Sequence, residues 1–209
     1  FGGQGGGSFK NESEEYDGTS WAEGDNLNTA MAYLGGCGTQ TAGLAFGGGS
    51  GGSEVNGTEE YNGTSWTEVN DMVVGTSEMA GFGLQTAAIS ASGQAAPNTT
   101  TVNVQSYDGT CWSETTNVNT ARYALTGAGI QTSGIVFGGT DAPAPTANTE
   151  QWNGSAWTEV ANLATARGGL GGTGTVTLAL AFGGTPPVTT ATEEWTIPSS
   201  VNNLTVASS

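Results

Sequence analysis

Short apolar runs, glycine doublets and turn residues follow one another along the chain, and this pattern predicts β-strands. In residues 117–160 an alternating stretch is followed by an apolar run that ends at Gly138-Gly139, by a variable loop, and by two further runs on either side of Asn153-Gly154. Asn-Gly between two such runs is a strong signal for a β-hairpin with a type I′ turn, which needs positive φ at both central residues. The segment therefore predicts four short antiparallel strands.

The same pattern recurs in phase. EEYDGTSW at 14–21 returns as EEYNGTSW at 59–66, QSYDGTCW at 105–112 and EQWNGSAW at 150–157, and a truncated copy, EEW, lies at 193–195. The first aromatic residues of these copies are 45, 46, 45 and 43 residues apart. A fixed period of this length is typical of solenoids and propellers, in which each unit buries its apolar faces against neighbouring copies.

A second marker, FGG, keeps the same frame. It occupies 1–3, 46–48, 137–139 and 182–184. The copy expected near 89–91 reads Ile89-Ser90-Ala91, so we interpret the marker as lost in that repeat.

Sheets of this kind, arranged radially, form a propeller. We therefore expect an all-β fold over residues 1–196, with four-stranded antiparallel blades. About five blades are visible, namely three complete repeats and a partial one at each end. Residues 197–209 are a C-terminal tail, in which Val201–Ala207 is a candidate closing strand. The other option is a longer native chain with more repeats upstream.

The residues that define the repeat have structural roles in this interpretation. Glycine doublets let the chain leave a strand where a side chain would collide, Asp-Gly and Asn-Gly form turns, and paired aromatic residues fill the space between blades. The residues assigned to this framework are Gly47, Gly48, Tyr61, Asn62, Gly63, Trp66, Tyr107, Trp112, Gly138, Gly139, Trp152, Trp157, Gly183, Gly184 and Trp195.

The order of the markers resembles the kelch repeat: a glycine doublet, a loop, an aromatic residue, tryptophan, an arginine-bearing strand, and an apolar strand back to the glycines. Arg122 and Arg167 match the arginine of that family, whereas Met31 and Thr76 depart from it. The resemblance covers about residues 1–196 and implies a kelch-type β-propeller. The amino-acid sequence of the repeats is also similar to that of kelch-like proteins of phages and aquatic metagenomes. This resemblance implies a virion or tail-associated role.

Charge and composition exclude several functions. The formal net charge is −16, from 19 acidic and three basic residues, so the chain is poorly suited to nucleic acids and anionic membranes. The acidity favours solubility; cation binding and repulsion of neighbours are the alternatives. The absence of histidine excludes Ser-His-Asp and Cys-His catalysis and histidine-ligated metals. Cys37 and Cys111 occupy different repeat positions, so we expect two separate thiols, and no stretch approaches the ~20 apolar residues of a membrane span.

Two charged features of the sequence are candidate sites. The paired acids, such as Glu59-Glu60, point to opposite faces of a strand, so we expect one solvent-facing and one partnered acid per blade. The alternative is a ring of carboxylates that binds Ca²⁺, which no loop spacing supports. Arg122 and Arg167 are expected to form ion pairs within a blade, with the glutamates two residues after each tryptophan, such as Glu159, as partners.

The variable loops that follow the glycine doublets are candidate binding elements, because loops on a rigid scaffold often carry function. The candidate binding residues are Ser50, Glu54, Asn98, Asp141 and Thr185. We expect no catalytic residue, metal or cofactor. The first hypothesis is a non-catalytic module of a virion (tail, fibre or decoration) or of a cell surface, extracellular in either case, that binds glycans or proteins.

Two alternatives stay open. One is a carbohydrate-active propeller enzyme that uses carboxylates alone, which a pocket with two or three acids and an aromatic platform would favour. The other is a fibre or assembly subunit with strand pairing between chains. The expected partners are other virion or surface proteins and glycans, with a homo-oligomer as a further option. Neither nucleic-acid binding nor membrane insertion is expected.

Overall fold

The computed structural model describes residues 1–50, 53–141 and 144–197. These residues form strands, turns and bends and no helix, and every strand pair is antiparallel, so the all-β prediction is confirmed. The candidate closing strand, Val201–Ala207, lies outside the described residues.

The strands are short and follow one another closely in the sequence. In the described residues they are β1 Gly3–Gly5, β2 Ser8–Lys10, β3 Glu14–Tyr16, β4 Trp21–Glu23, β5 Gly35–Thr39, β6 Ala42–Phe46, β7 Gly49–Ser50, β8 Ser53–Glu54, β9 Thr58–Tyr61, β10 Trp66–Glu68, β11 Thr76–Ser77, β12 Ala80–Leu84, β13 Ala87–Ala91, β14 Gln94–Ala95, β15 Thr99–Thr100, β16 Val104–Tyr107, β17 Trp112–Thr115, β18 Thr126–Ile130, β19 Ser133–Phe137, β20 Thr140–Asp141, β21 Ala144–Pro145, β22 Thr149–Trp152, β23 Trp157–Glu159, β24 Gly171–Gly174, β25 Leu178–Phe182 and β26 Thr192–Thr196.

Three repeats form the same four-stranded meander. Sheet I has the order β5-β6-β9-β10, sheet II β12-β13-β16-β17 and sheet III β18-β19-β22-β23. Sheet IV has three strands, β24-β25-β26, and the first repeat contributes the separate hairpins β1-β2 and β3-β4. The loops between the second and third strands carry small additional ladders, β7-β8, β14-β15 and β20-β21, and β14 also pairs with β11, which precedes sheet II.

Neighbouring sheets pack face to face, with their first strands β5, β12, β18 and β24 side by side in that order. The apolar core therefore lies between sheets. One cluster joins Leu44 and Phe46 of sheet I to Tyr107 and Trp112 of sheet II, and equivalent clusters join sheets II and III and sheets III and IV. Each sheet thus depends on its neighbours for burial of both faces, as expected for a repeat architecture.

The sheets are also joined by a chain of main-chain hydrogen bonds. Glu78 N donates to Tyr33 O at 2.8 Å, Ala124 N to Glu78 O at 2.9 Å, and Gly169 N to Ala124 O at 2.7 Å. These four residues occupy the same repeat position and all have left-handed backbone, with φ between 53° and 62°. Main-chain groups alone make these links, so four different residue types form them, within the limits that a left-handed backbone and a donating N–H set.

A phenylalanine from each of two sheets packs against a glycine of the next sheet. A Cβ added to Gly81 would lie 2.8 Å from the ring of Phe46, and one added to Gly172 would lie 2.8 Å from the ring of Phe137. At the junction between sheets II and III, a Cβ added to Gly127 would lie 2.8 Å from the ring of Phe82. Small residues at these positions therefore make room for a ring at each junction.

The FGG copy of the second repeat lies two residues later than expected. Ala91 pairs with Ala80 and Val104, as Phe46 pairs with the equivalent residues in sheet I. The marker is therefore Ala91-Ser92-Gly93, and our alignment to Ile89-Ser90-Ala91 was wrong. Phe82 fills the space that the missing ring leaves.

The hairpins lie where the Asp-Gly and Asn-Gly dipeptides predicted them, but the turn type was wrong. Tyr61 pairs with Trp66, so the loop has four residues rather than two. Gly63 has positive φ and Asn62 does not. Asn62 Oδ1 instead accepts hydrogen bonds from Thr64 N at 2.9 Å and Ser65 N at 3.0 Å. This side-chain capping replaces the left-handed conformation that a type I′ turn demands.

Candidate functional site

The Tyr-Trp and Trp-Trp pairs of the framework lie at the sheet junctions. The rings of Tyr61 and Trp66 are 5.0 Å apart, and the equivalent pairs in sheets II and III are both 5.1 Å apart. Some of their polar atoms reach the preceding repeat: Trp112 Nε1 donates to Thr58 Oγ1 and Trp157 Nε1 to Thr116 O, both at 3.0 Å. These aromatic residues are committed to packing, so ligand chemistry must be sought elsewhere.

The paired acids are also structural, and the expected solvent-facing acid is wrong for sheet I. Glu59 is buried and accepts from Asn28 N and Nδ2, both at 2.8 Å, and from Thr29 N at 3.1 Å. Glu60 is half-buried and accepts from Tyr107 OH at 2.9 Å. Glu59 thus fixes the segment around Asn28, which leads into sheet I. Glu60 links sheet I to sheet II through its hydrogen bond with Tyr107.

The arginines form ion pairs within their repeats, but with a different glutamate from the one expected. Arg122 Nη2 donates to Glu150 Oε1 at 3.1 Å, and Arg167 Nη2 donates to Glu193 Oε1 at 2.9 Å. The partner precedes the hairpin turn, and Glu159 only lies opposite Glu150 in the strand register. Burial lowers the pKa of the Arg122 guanidinium, and the nearby Glu150 carboxylate opposes that shift.

Loops from three repeats converge at one end of the sheets and form a groove of about 150 Å³. We call it the loop groove. It is lined by Phe9, Tyr33, Gly49, Ser53, Glu54, Ser77, Glu78, Gln94 and Asn98.

The loop groove combines aromatic rings, carboxylates and amides. Tyr33 is 52% exposed, and its hydroxyl donates to Gln4 Oε1 at 2.9 Å, which orients the ring. Glu78 is half-buried, and burial raises the pKa of its carboxyl group. Gln94 and Asn98 add amide donors and acceptors. Rings with convergent polar groups can bind the apolar faces and hydroxyls of a sugar.

Two of the candidate residues from the sequence, Glu54 and Asn98, line the loop groove. Asp141 and Thr185 lie on the later loops and do not line it, and the side chain of Ser50 is outside the described residues. Sequence reasoning missed the remaining residues of the groove, Phe9, Tyr33, Ser77, Glu78 and Gln94 among them. A usable signal existed, because Tyr33 and Glu78 occupy one repeat position with unrelated residue types.

A larger cavity, of about 630 Å³, lies between the hairpin β3-β4 and sheet I. Its acid Glu15 accepts a hydrogen bond from Tyr61 OH, which raises the pKa of Tyr61 to about 12, and another from Gln40 Nε2 at 3.2 Å. The cavity is also lined by Glu14 and by the rings of Tyr16 and Trp21, so it brings two acids and aromatic residues together, the composition that the enzyme alternative predicts.

Other candidate chemistry is sparse. Within residues 1–50, 53–141 and 144–197, no three or more His, Cys, Asp or Glu residues are grouped to hold a metal ion. The same residues include no helix that is long and apolar enough to cross a bilayer. Cys37 and Cys111 are separate free thiols, as predicted, and burial raises the pKa of Cys37 to about 12.

Comparison of the chain with protein-family models and with characterised proteins finds no match to either.

Proposed function

We propose that the chain is a kelch-type β-propeller module that binds a neutral glycan in the loop groove, without catalysis, at the surface of a virion or a cell. The propeller arrangement is supported by four consecutive sheets whose first strands lie side by side and whose faces pack on one another. The resemblance of the repeats to kelch-like phage proteins supports the location.

The observation that carries the binding proposal is the convergence of Phe9, Tyr33, Glu78 and Asn98, from three repeats, in one groove. The scaffold beneath is nearly the same in every repeat, whereas these side chains differ, as expected for a surface that selects a ligand. Two carboxylates and a net charge of −16 disfavour sialylated, sulfated and phosphorylated ligands. Neutral sugars are therefore the best match.

The proposal is tested by screening the chain on an array with matched neutral and sialylated glycans, followed by calorimetry with the strongest neutral ligand. Tyr33→Ala removes the exposed ring and is expected to weaken binding about tenfold. Asp141→Asn, on a loop outside the groove, is the control and should bind as the unmodified chain does. Binding that survives Tyr33→Ala and Glu78→Gln in folded protein, or no binding to any neutral glycan, contradicts the proposal.

A second candidate function is glycoside hydrolysis by Glu54 and Glu78. The raised pKa of Glu78 and the presence of another carboxylate in the same groove favour it, because such enzymes pair an acid with a base or nucleophile. Both candidate functions use the same groove of about 150 Å³, so its volume does not separate them, and the experiment that does is a test for catalysis. Release of reducing sugar from the bound glycan, abolished by Glu78→Gln with binding retained, would establish the enzyme instead of the binding module.

A further inference from the structure

The chain contains three Asn-Gly pairs, and the structure places them in two different environments. They are Asn56-Gly57, Asn62-Gly63 and Asn153-Gly154. Asparagine followed by glycine is prone to deamidation, because glycine has no side chain to keep the carboxamide away from its main-chain nitrogen. That nitrogen attacks the carboxamide carbon Cγ of the asparagine, so the conformation of each side chain decides how readily its pair reacts.

In two of the pairs the carboxamide is fixed by the turn that it caps. Asn62 Oδ1 accepts hydrogen bonds from Thr64 N at 2.9 Å and Ser65 N at 3.0 Å. Asn153 Oδ1 accepts from the equivalent main-chain groups at 3.0 and 2.9 Å. The carboxamide must leave these donors before Cγ can meet the glycine nitrogen, and the loss of two hydrogen bonds raises the barrier to reaction.

The carboxamide of Asn56 is held much more loosely. The residue is exposed, and Nδ2 makes one long hydrogen bond, to Met72 O at 3.4 Å. Within the part of the chain that the structure describes, no group donates to Asn56 Oδ1, and Gly57 N donates to no acceptor. A Cβ added to Gly57 would meet no atom within 4 Å, so the space around the attacking nitrogen is open.

Asn11 occupies the same repeat position as Asn56 and supplies an internal comparison. Its main-chain oxygen accepts from Leu27 N at 2.9 Å, as Asn56 O accepts from Met72 N at 2.8 Å. Its Nδ2 donates to Leu27 O at 3.0 Å. The residue that follows Asn11 is Glu12 rather than glycine, so a side chain shields the main-chain nitrogen. The two sites thus share their main-chain surroundings and differ in the residue that carries the attacking nitrogen.

We propose that Asn56 is a site of spontaneous deamidation in the folded protein. Gly57 N forms a bond to Asn56 Cγ, the bond from Cγ to Nδ2 breaks, and Nδ2 leaves as ammonia with the proton of the Gly57 amide. Water then opens the succinimide ring at either carbonyl, which gives aspartate or isoaspartate. Water is the only co-reactant, so the reaction needs no ligand and does not depend on the proposed glycan binding.

The products change the surroundings of sheet I. Either product places a carboxylate two positions after Glu54, a residue of the loop groove. Isoaspartate also adds a carbon to the main chain between residues 56 and 57. Gly57 O accepts from Gly47 N at 2.9 Å, and this hydrogen bond cannot keep its geometry when the chain is lengthened. We therefore expect isoaspartate to destabilise sheet I more than aspartate does.

The test is prolonged incubation of the folded full chain at mildly alkaline pH, followed by peptide mapping with mass spectrometry that separates aspartate from isoaspartate. Asn56 is expected to convert about tenfold faster than Asn62 and Asn153, because those sites must first break two hydrogen bonds. In guanidinium chloride the three Asn-Gly pairs should convert at similar rates, while Asn11 stays slow.

Gly57→Ala is the matched variant, because the structure leaves room for its Cβ and the φ of Gly57 is not positive. It should fold normally and slow the conversion of Asn56 to the rate of Asn11. Equal or higher rates at Asn62 and Asn153 in the folded chain overturn the proposal, as does a difference that persists in guanidinium chloride. Unchanged conversion of Asn56 in Gly57→Ala, or conversion of Asn56 in the denatured chain only, overturns it as well.

Discussion

Separate replacement of Arg122 and Glu150 tests what the buried ion pair of sheet III contributes, because removal of either partner leaves a different residue without its charge. Both side chains are fully buried. Glu150 also accepts from Asn119 N and Nδ2, both at 2.7 Å, and from Thr120 N at 3.3 Å. Arg122→Met therefore leaves a carboxylate with three donors, the state in which Glu59 already exists beside Met31.

Arg122→Met loses the two hydrogen bonds of the guanidinium, to Glu150 and to Asn148 O, and gains an apolar side chain. We expect it to lower the free energy of unfolding by about 1–2 kcal/mol. Glu150→Gln removes the counter-charge of the buried guanidinium and replaces one of the two acceptor oxygens with an NH2 donor, so that Asn119, Thr120 and Arg122 compete for a single amide oxygen while Asn148 O still accepts from Arg122 at 2.8 Å. We expect this change to cost about 3–5 kcal/mol.

The assay is equilibrium unfolding in urea, with the slope of the transition checked for constancy between variants. The double variant, Arg122→Met with Glu150→Gln, should be more stable than Glu150→Gln alone, because it no longer buries an unpaired charge. Sheet II contains a neutral version of this site, in which Gln105 exchanges two hydrogen bonds with Val74. If Arg122→Met costs as much as Glu150→Gln, the buried carboxylate depends on Arg122 as strongly as the guanidinium depends on Glu150, which contradicts this assignment of charges.

Two further outcomes are expected. Phe82→Ala should cost about 3–5 kcal/mol in urea unfolding, and adding Ala91→Phe should recover about half, because a ring from that position fills the other junctions; no recovery would contradict the compensation. Tyr61 has its pKa raised from 10.0 to about 12, mainly by its hydrogen bond to Glu15, and burial first and then Glu60 raise the pKa of Tyr107. The stability that these hydroxyls contribute should be complete below about pH 10 and lost as the pH rises towards 12. Alkaline titration of phenolate absorbance should show two late tyrosines, which Tyr61→Phe and Tyr107→Phe remove one at a time; early titration of both would contradict this.

The strands and hairpins could be predicted because they depend on residues close together in the sequence. The turn type and the ion-pair partner could not, because they depend on contacts that residue spacing does not fix. The alternation of residues and the in-phase markers placed the hairpin at Asn62-Gly63 correctly. They did not reveal that Asn62 would cap the loop with its side chain, because Asn serves both turn types. The ion-pair partner of Arg122 was missed because Glu150 and Glu159 lie opposite each other on one face, and residue spacing cannot rank two such neighbours.

The lining of the loop groove could be predicted from the sequence only in part. Phe9, Glu54 and Asn98 come from three repeats and meet only because successive sheets pack at a fixed offset. Two of these residues were found from the variability of their loops. Phe9 was not, since it lies in a short strand of the first repeat with no repeated marker around it.

The left-handed residues that link the sheets have an evolutionary consequence. Tyr33, Glu78, Ala124 and Gly169 make the same main-chain bonds, so the fold does not select their side chains for contact. Each repeat therefore has one position at which a point mutation alters the groove end of the molecule while leaving the junctions intact. Under the proposed glycan binding, substitutions at Tyr33 and Glu78 would change the surface that the ligand contacts, provided that the new residue accepts a left-handed backbone and has an N–H to donate.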